Sequence, residues 1–502
     1  MRCRSVSDLQ KGRSFRFRTL QTTLAAATAL SHSWTACGAF QSTTIVRSAR
    51  RDSLRLQNSW REQGASPQYP LGDLTTTTTR SMSGMNEQDG GSTSISISPA
   101  GTNNLSGATS DLIQSTLDPC VILMKQIVSR HAHQWEHDPN GIYSLAQGVV
   151  YWEPPRHAQA AILDELQAST NDLHKYCPDE GLPELVAALQ TKLAKENGLE
   201  STNVMVTSGA NQAYMNCVLT FLGEGEKCIV FAPYYFNHVM AIQSTRGNDA
   251  VLVGPIDDNG YPDLNWLQET LDSDEDDLIR MVTVVNPGNP TGVSLPRAVL
   301  DEVADMTRLH NEKSVDKKRT WLIMDNTYEH FDHPKCNTLQ QDKDGNGFHC
   351  SNADHVVHIF SFSKGYAMAG YRVGYIALSN EGEFSKEAYQ QMLKVQDTIP
   401  ICTTRISQVA ALGALSAGRS WVIDKVATLE IGRRAILSAL EPLERVIGGS
   451  GAMYVMGKLP DGMDDQEVAE RLVEEYGIAI IPGSFCGKPG WIRVCYSNLP
   501  PI

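Results

Sequence analysis

The sequence contains no run of 18 uninterrupted apolar residues, so no segment reads as a transmembrane helix. It has no CxxC pair among its 11 cysteines, and their spacing is irregular. That argues against both a disulfide framework and a zinc cage, and leaves them as reduced thiols, some of them small core residues. Positive charge is scarce in the body of the chain. Residues 1–105 carry 12 Lys+Arg against 6 Asp+Glu, so a whole-chain net charge of −14 leaves −20 on residues 106–502. Phosphate backbones need a basic face, and an acidic body argues against nucleic acid as a partner; a small anion held by a few local donors remains compatible. There is no internal repeat. At 502 residues, with 41% hydrophobic and 20% charged residues, the chain has the composition of an ordinary soluble protein with two or three folding units.

The first hundred residues differ from the rest. MRCRSVSDLQKGRSFRFR is Arg-rich and nearly free of acid, a weakly apolar stretch ending in ACGAF follows, and QSTTIVRSARRDSLR is again basic and hydroxyl-rich. This order resembles a targeting presequence over residues 1–65, of the plastid signal-plus-transit kind. A mitochondrial presequence, or a cytoplasmic form begun at Met82 or Met85, is the alternative. Residues 66–110, with TTTTT and GGSTSISISPAGTNNLSG, read as a low-complexity linker that buries too little apolar surface to offset ordering entropy.

Past residue 180, helical periodicity over 182–196, 211–221, 264–271 and 296–308 alternates with short apolar runs at 228–232, 281–285, 321–325, 356–360 and 373–378. Apolar strands separated by helices predict an α/β domain with a mostly parallel sheet covered on both faces, and ligands bind such sheets beyond the strand C-termini. A second block from residue 406 predicts an α+β lobe. It has one long helix over 421–440, a strand at GAMYVMGKL, a helix over 465–476 and strands at 478–481 and 491–495. Residues 120–148 are expected to join that lobe.

Four motifs stand at predicted strand ends. SFSKGYAMAGYR delivers Lys364 into a compact loop with Ser361 before it and Arg372 after it. A lysine amine condenses with an aldehyde only when neutral, which a desolvated, cation-rich pocket favours, while Arg372 and Ser361 suit a phosphate dianion. Alone, the motif also reads as a basic turn. VVNPGNPTG forces a rigid non-helical turn that either is simply tight or presents the amide of Asn289 to a ligand. WLIMDNTY ends an apolar strand on Asp325, which either caps a helix or meets a cation, with Tyr328 close behind. VMVTSGANQAY gives a strand, a small-residue turn and a helix N-terminus, a common arrangement that also makes an anion site.

Together the four ask for one ligand bearing an aldehyde, a protonatable ring nitrogen, a ring oxygen and a phosphate, the inventory of pyridoxal 5′-phosphate. With these motifs the chain resembles the fold-type I, class I/II aminotransferases over about residues 144–498. SLAQGVVYWEPP, FAPYYFNH and VVNPGNPTG look closest to a plant branch acting on aromatic amino acids and methionine. The resemblance implies a large domain over 181–405, with a seven-stranded type of sheet sandwiched by helices. It also implies a smaller α+β domain from 406–502, to which an N-terminal arm at 111–180 contributes.

It further implies a role for each matching residue. Lys364 would bond covalently to the cofactor and then carry the proton between substrate and cofactor. Asp325 would pair with the ring nitrogen, Asn289 and Tyr328 would hydrogen-bond the phenolic oxygen, Tyr235 would stack on the ring, and His238 would support Asp325. Ser361, Arg372 and the backbone of Gly209, Ala210 and Asn211 would hold the phosphate. Tyr176, in HKYCPDEGLPEL, would reach a neighbouring subunit's phosphate, which implies a homodimer with shared sites. Arg493, in GWIRVCY, would grip the substrate α-carboxylate, and Gly148 would lie in the substrate-side loop. Tyr151, Trp152 and Tyr235 are expected to line an apolar pocket for the side chain. Relatives usually continue into a closing helix where this chain stops, at Ile502.

The expected activity is amino transfer between an amino acid and a 2-oxo acid. A carbon–sulfur or β/γ-elimination lyase on the same scaffold is the first alternative. A non-catalytic regulatory module is the second, although residues 1–105 show no DNA-binding pattern. DKDGNG at 342–347 starts like a calcium loop, but its twelfth position is Ala353, so it reads as a surface loop. His131, His133 and His137 read as solvated or packed rather than metal-binding, and the acidic run 272–277 as a solvated helix end.

Overall fold

The computed structural model describes residues 107–136, 141–168, 171–313, 318–333, 348 and 350–500. The presequence, most of the linker, His137 and the DKDGNG loop lie outside the described residues.

The large sheet is built from β2 (Thr202–Thr207), β3 (Lys227–Phe231), β4 (Val251–Gly254), β5 (Ile279–Val285), β6 (Trp321–Asp325), β7 (Val356–Ser361) and β8 (Gly374–Ser379). The seven strands run in the order β2-β8-β7-β6-β5-β3-β4. Pairing is parallel from β7 across to β4, and β8 is antiparallel to both its neighbours. The sheet is therefore mostly parallel, with β2 running the same way as β7.

Strict alternation explains how both faces are covered. Met281, Trp321, Ile323, Val357 and Ile359 pack with helices Ala210–Phe221, Phe236–Arg246 and Glu383–Thr398. Their immediate neighbours Val282, Val284, Leu322 and Met324 pack on the opposite face with helices Leu264–Asp272 and Arg297–Glu312. A period of two on strands buried from both sides gives near-continuous apolar runs, which is how these segments read in the sequence.

The smaller sheet is antiparallel, in the order β12-β13-β10-β9: β9 is Val446–Gly448, β10 Tyr454–Lys458, β12 Ile481–Pro482 and β13 Trp491–Cys495. The N-terminal segment joins this lobe. β1 (Tyr143–Ser144) pairs in parallel with β11 (Ile478–Ala479), and Trp135 Nε1 donates to the Val473 carbonyl at 3.0 Å. Helix Cys120–His131 shares an apolar cluster with Val473, Ala479 and Ile481.

Two expectations need correction. The helix predicted over 421–440 is two helices, Gly418–Ala427 and Glu430–Leu440. The break falls at Thr428, whose hydroxyl meets the Lys425 carbonyl and the Tyr151 hydroxyl, each at 2.5 Å. A hydroxyl that bonds back into its own turn competes with the helix ladder. The acidic run 272–277 is also more than solvated. Asp274 accepts from the Leu278 and Ile279 amides at 2.8 and 3.0 Å, and Asp277 pairs with buried Arg280 at 2.8 Å, so the run fastens the start of β5.

One buried charge cluster anchors the turn after β6. Lys192, on helix Pro183–Asn197, pairs with Glu329 and donates to Asn197 Oδ1 at 2.8 Å, while Asn197 Nδ2 donates to Glu329 Oε2 at 3.0 Å. Burial alone would raise the Glu329 carboxyl, and Lys192 and His330 hold it below the usual range. Removing one member of such a pair strands the other charge. Lys192→Met is therefore expected to cost about 3–5 kcal/mol of stability, read as a lower urea midpoint. An unchanged midpoint would show that the pair does not anchor this turn.

Candidate active site

Topology brings the sequence-predicted motifs to one sheet edge. Val285 at the end of β5 lies beside Asp325 at the end of β6, Asp325 beside Ile359 of β7, and Ser361 beside Gly374 at the start of β8. The chain leaves β5 toward Asn289, β6 toward Tyr328 and β7 toward Lys364, while Arg372 approaches the same edge as the entry to antiparallel β8. These residues face a cavity of about 520 Å³. Ligand sites outside the carboxyl ends of open sheets are the rule for this architecture.

At its floor, Lys364 Nζ donates to the Gly148 carbonyl. Burial lowers the ammonium to about 8, and the nearby Arg493 and Arg372 guanidinium groups push the same way, against Cys495 and Asp325. Gly148 is required by close approach: a Cβ there would sit 2.0 Å from Tyr454 Oη.

Asp325 is almost fully buried, and its Oδ2 accepts from His238 Nε2 at 3.1 Å and its Oδ1 from the Thr327 amide at 3.0 Å. Burial raises the carboxyl, but the bonds from His238 and Thr327 more than offset it and keep the group below the usual range. His238 is itself stacked on Tyr214 with ring centroids 3.9 Å apart, and Tyr214 is hydrogen-bonded to Thr283 at 2.9 Å. The carboxylate is thus backed by the sheet. Tyr235 lines the cavity above it, its hydroxyl held by Asn237 at 2.9 Å and by Asn211 at 3.4 Å.

A second corner is suited to an anion. Ala210 and Asn211 form the first turn of their helix, where N–H groups lack intrahelical partners. Ser361, Ser363 and Arg372 line the cavity beside them. Arg372 has φ +55, and donates to the Ala369 carbonyl at 2.8 Å and to the Ser208 carbonyl at 3.4 Å. Gly209 is demanded twice over, by φ +83 and by the Arg372 guanidinium 2.2 Å from where a Cβ would lie.

Arg493 comes from the other lobe. On β13 it pairs with Met456 of β10, and Tyr454, two residues earlier, shares its face. The guanidinium donates to Asn289 Oδ1 at 2.9 Å and to the Ala146 carbonyl at 2.6 Å, while its Nε is buried without a hydrogen-bond partner. Asn289 Nδ2 donates to Tyr328 Oη at 3.4 Å, and the Tyr328 and Tyr454 hydroxyls are 2.7 Å apart. Burial raises both phenols, so they stay protonated.

Every predicted site residue but Tyr176 thus lies at or directly behind this cavity. Tyr176 is 76% exposed on a loop near Cys402 and Arg405. The expected apolar pocket is placed differently. Trp152 is buried, stacked on Phe331 with ring centroids 6.3 Å apart and bonded to the Gly365 carbonyl at 3.2 Å, and Tyr151 is tied to Thr428. Neither lines the cavity. Its apolar wall comes from Val121, Met124 and Val128 of helix Cys120–His131, with Ile142, Ala479 and Ile481. Sequence reasoning also missed Tyr454, Ser363 and Thr327. Tyr454 sits in an apolar strand pattern that reads as core, so only the pairing register reveals it.

Comparison with known proteins adds a family and relatives. The family model described as aminotransferase class I and II matches residues 140–501. The chain is 43% identical over 366 residues to the aromatic aminotransferase ISS1 of Arabidopsis thaliana, covering 72% of this chain and 86% of that protein. Among solved structures, the aspartate aminotransferase of Thermus thermophilus with maleate superposes with a TM-score of 0.65 at 25% identity, over 77% of this chain and 94% of that one. The aromatic aminotransferase of Pyrococcus horikoshii OT3 gives 0.60 at 26%, over 74% and 94%.

With the Lys364 ammonium lowered to about 8, about half of these amines are neutral at pH 8, where an ordinary lysine is almost wholly charged. Reductive methylation of cofactor-free protein, followed at the Lys364 peptide, should show a midpoint near pH 8. Arg372→Gln should raise it. A midpoint above pH 10 in the native protein would contradict the site's electrostatics.

Proposed function

The chain belongs to the class I and II aminotransferases, and from that premise we propose that it moves amino groups between amino acids with aromatic or other apolar side chains, methionine included, and 2-oxo acids. The observation that carries the substrate class is the cavity wall: Val121, Met124, Val128, Ile142 and Ile481 are apolar, and helix Cys120–His131 precedes the region matched by the family model. The 43% identical relative named as an aromatic aminotransferase supports the same reading.

The family implies pyridoxal 5′-phosphate, and the donor set fits it. A half-buried amine of lowered pKa, an ionised carboxylate, a phenol with an amide beside it, and an anion cradle that a Cβ at Gly209 would fill all face one cavity. When bound, that cofactor supplies an aldehyde that condenses with amines and a ring that withdraws electron density from the substrate α-carbon.

Lys364 would hold it through Nζ and, once displaced by the substrate amine, move the proton at the α-carbon. Asp325, kept ionised by His238, would hold a proton on the ring nitrogen. Tyr235 would cover the ring face, and Asn289 and Tyr328 would bond the ring oxygen. Arg372, Ser361, Gly209, Ala210 and Asn211 would bind the phosphate, with Ser363 beside them. Arg493 would orient the substrate through its α-carboxylate, for which its unpartnered Nε is a ready donor. The exposure of Tyr176, on a loop apart from the cavity, supports a homodimer in which it reaches the partner's phosphate.

A donor and acceptor screen tests this reading. Phenylalanine, tyrosine and methionine should be better donors than aspartate, and aspartate as the preferred donor would overturn the substrate class. Met124→Ala should lower kcat/KM for phenylalanine by about tenfold, the worth of a lost apolar contact in a substrate pocket. Lys364→Ala should abolish transfer. Arg493→Ala should weaken amino-acid binding by about 2–5 kcal/mol.

A further inference from the structure

Four side chains close a ring on one wall of the cavity. Arg493 Nη1 donates to Asn289 Oδ1 at 2.9 Å, Asn289 Nδ2 donates to Tyr328 Oη at 3.4 Å, and Tyr328 Oη lies 2.7 Å from Tyr454 Oη. The Tyr454 ring completes the circuit, facing the Arg493 guanidinium at 4.5 Å.

The proton directions in this ring are set from its cationic end. A guanidinium has donors and no acceptor, so Asn289 must turn its oxygen toward Arg493 and its amino group toward Tyr328. Tyr328 Oη therefore accepts from Asn289 and is left with one lone pair and one hydrogen. If that hydrogen went to Tyr454, none would remain for a ligand. The Tyr454 hydrogen would then be stranded too, because among the described residues Tyr454 Oη is bonded to Tyr328 alone. If Tyr454 donates instead, Tyr328 accepts twice and keeps its own hydrogen for the cavity. With an acceptor oxygen bound there, both hydroxyl hydrogens are used, and a buried donor left unmade is costly.

We infer that Tyr454 is a positioning residue for Tyr328: by donating to it, Tyr454 obliges the Tyr328 proton to point into the cavity and strengthens it as a donor through the polarisation of linked hydrogen bonds. The same ring face fixes the plane of the Arg493 guanidinium, so one side chain couples the ring-oxygen site to the carboxylate site. Gly148 makes room for it, since a Cβ there would strike the Tyr454 hydroxyl. The inference rests on the reading above, in which a cofactor oxygen lies opposite Tyr328.

The test uses holoenzyme prepared with pyridoxal 5′-phosphate. A donor to the ring oxygen favours its charged form and lowers the pH at which the visible absorbance of the bound cofactor changes. Tyr328→Phe is the control and should raise that midpoint. Tyr454→Phe removes only the hydroxyl and should raise it measurably but by less than Tyr328→Phe does, since Tyr328 keeps its bond to the oxygen and loses only the polarisation from Tyr454. In that variant kcat should fall while KM for the amino acid holds. Tyr454→Leu, which also loses the ring face over Arg493, should raise KM as well. A midpoint that stays put in Tyr454→Phe while Tyr328→Phe shifts it would overturn the inference and leave the functional reading standing. A native holoenzyme without a pH-dependent visible band would overturn both.

Discussion

A buried guanidinium fixes where the seven-stranded and four-stranded sheets meet. Arg493 sits on β13 of the small sheet, yet its hydrogen bonds go to Asn289, in the turn after β5 of the large sheet, and to the Ala146 carbonyl in the segment after β1. A cation this deep needs well-placed oxygens, and the two terminal nitrogens find them while Nε is left without one. The small sheet must therefore seat at one position against the large one. That seating brings Tyr454 onto Tyr328 and closes the cavity over Lys364.

The electrostatics of the cavity follow from what burial does to each sign of charge. Burial, aided by the permanent charges of Arg493 and Arg372, brings the Lys364 ammonium down to about 8. Asp325, more deeply buried, keeps its charge because His238 and Thr327 donate to it. The low dielectric that penalises one group makes the other's hydrogen bonds stronger. A cavity of this kind holds an amine that is half neutral near pH 8 beside an ionised carboxylate, where an ordinary lysine would be almost wholly charged.

Much of the site was legible because parallel α/β sheets put their chemistry at strand ends. Asn289, Asp325, Lys364 and Arg372 each follow or precede an apolar run, and the register of β5, β6, β7 and β8 gathers them. The misses have physical causes. Tyr151 and Trp152 are aromatic and adjacent to the site in sequence, but Trp152 buries its ring against Phe331 while Tyr151 is held by Thr428. The helix expected over 421–440 breaks at that same threonine, whose hydroxyl finds a tertiary partner. The acidic run after helix Leu264–Asp272 caps a strand, because two backbone amides of Leu278 and Ile279 were available to Asp274.

The amino-acid sequence by itself determined the alternation of strands and helices, the burial of each strand on two faces, and the residues that stand at the strand ends. Those properties are local: periodicity, turn chemistry and the cost of a polar group closing an apolar run act over a few residues. Only the tertiary structure decided which apolar residues wall the cavity, that Tyr454 meets Tyr328, and that Tyr176 lies exposed outside the cavity lining. These depend on strand register and on how one lobe packs against another, and contacts between residues more than a hundred positions apart leave no periodic trace in the chain.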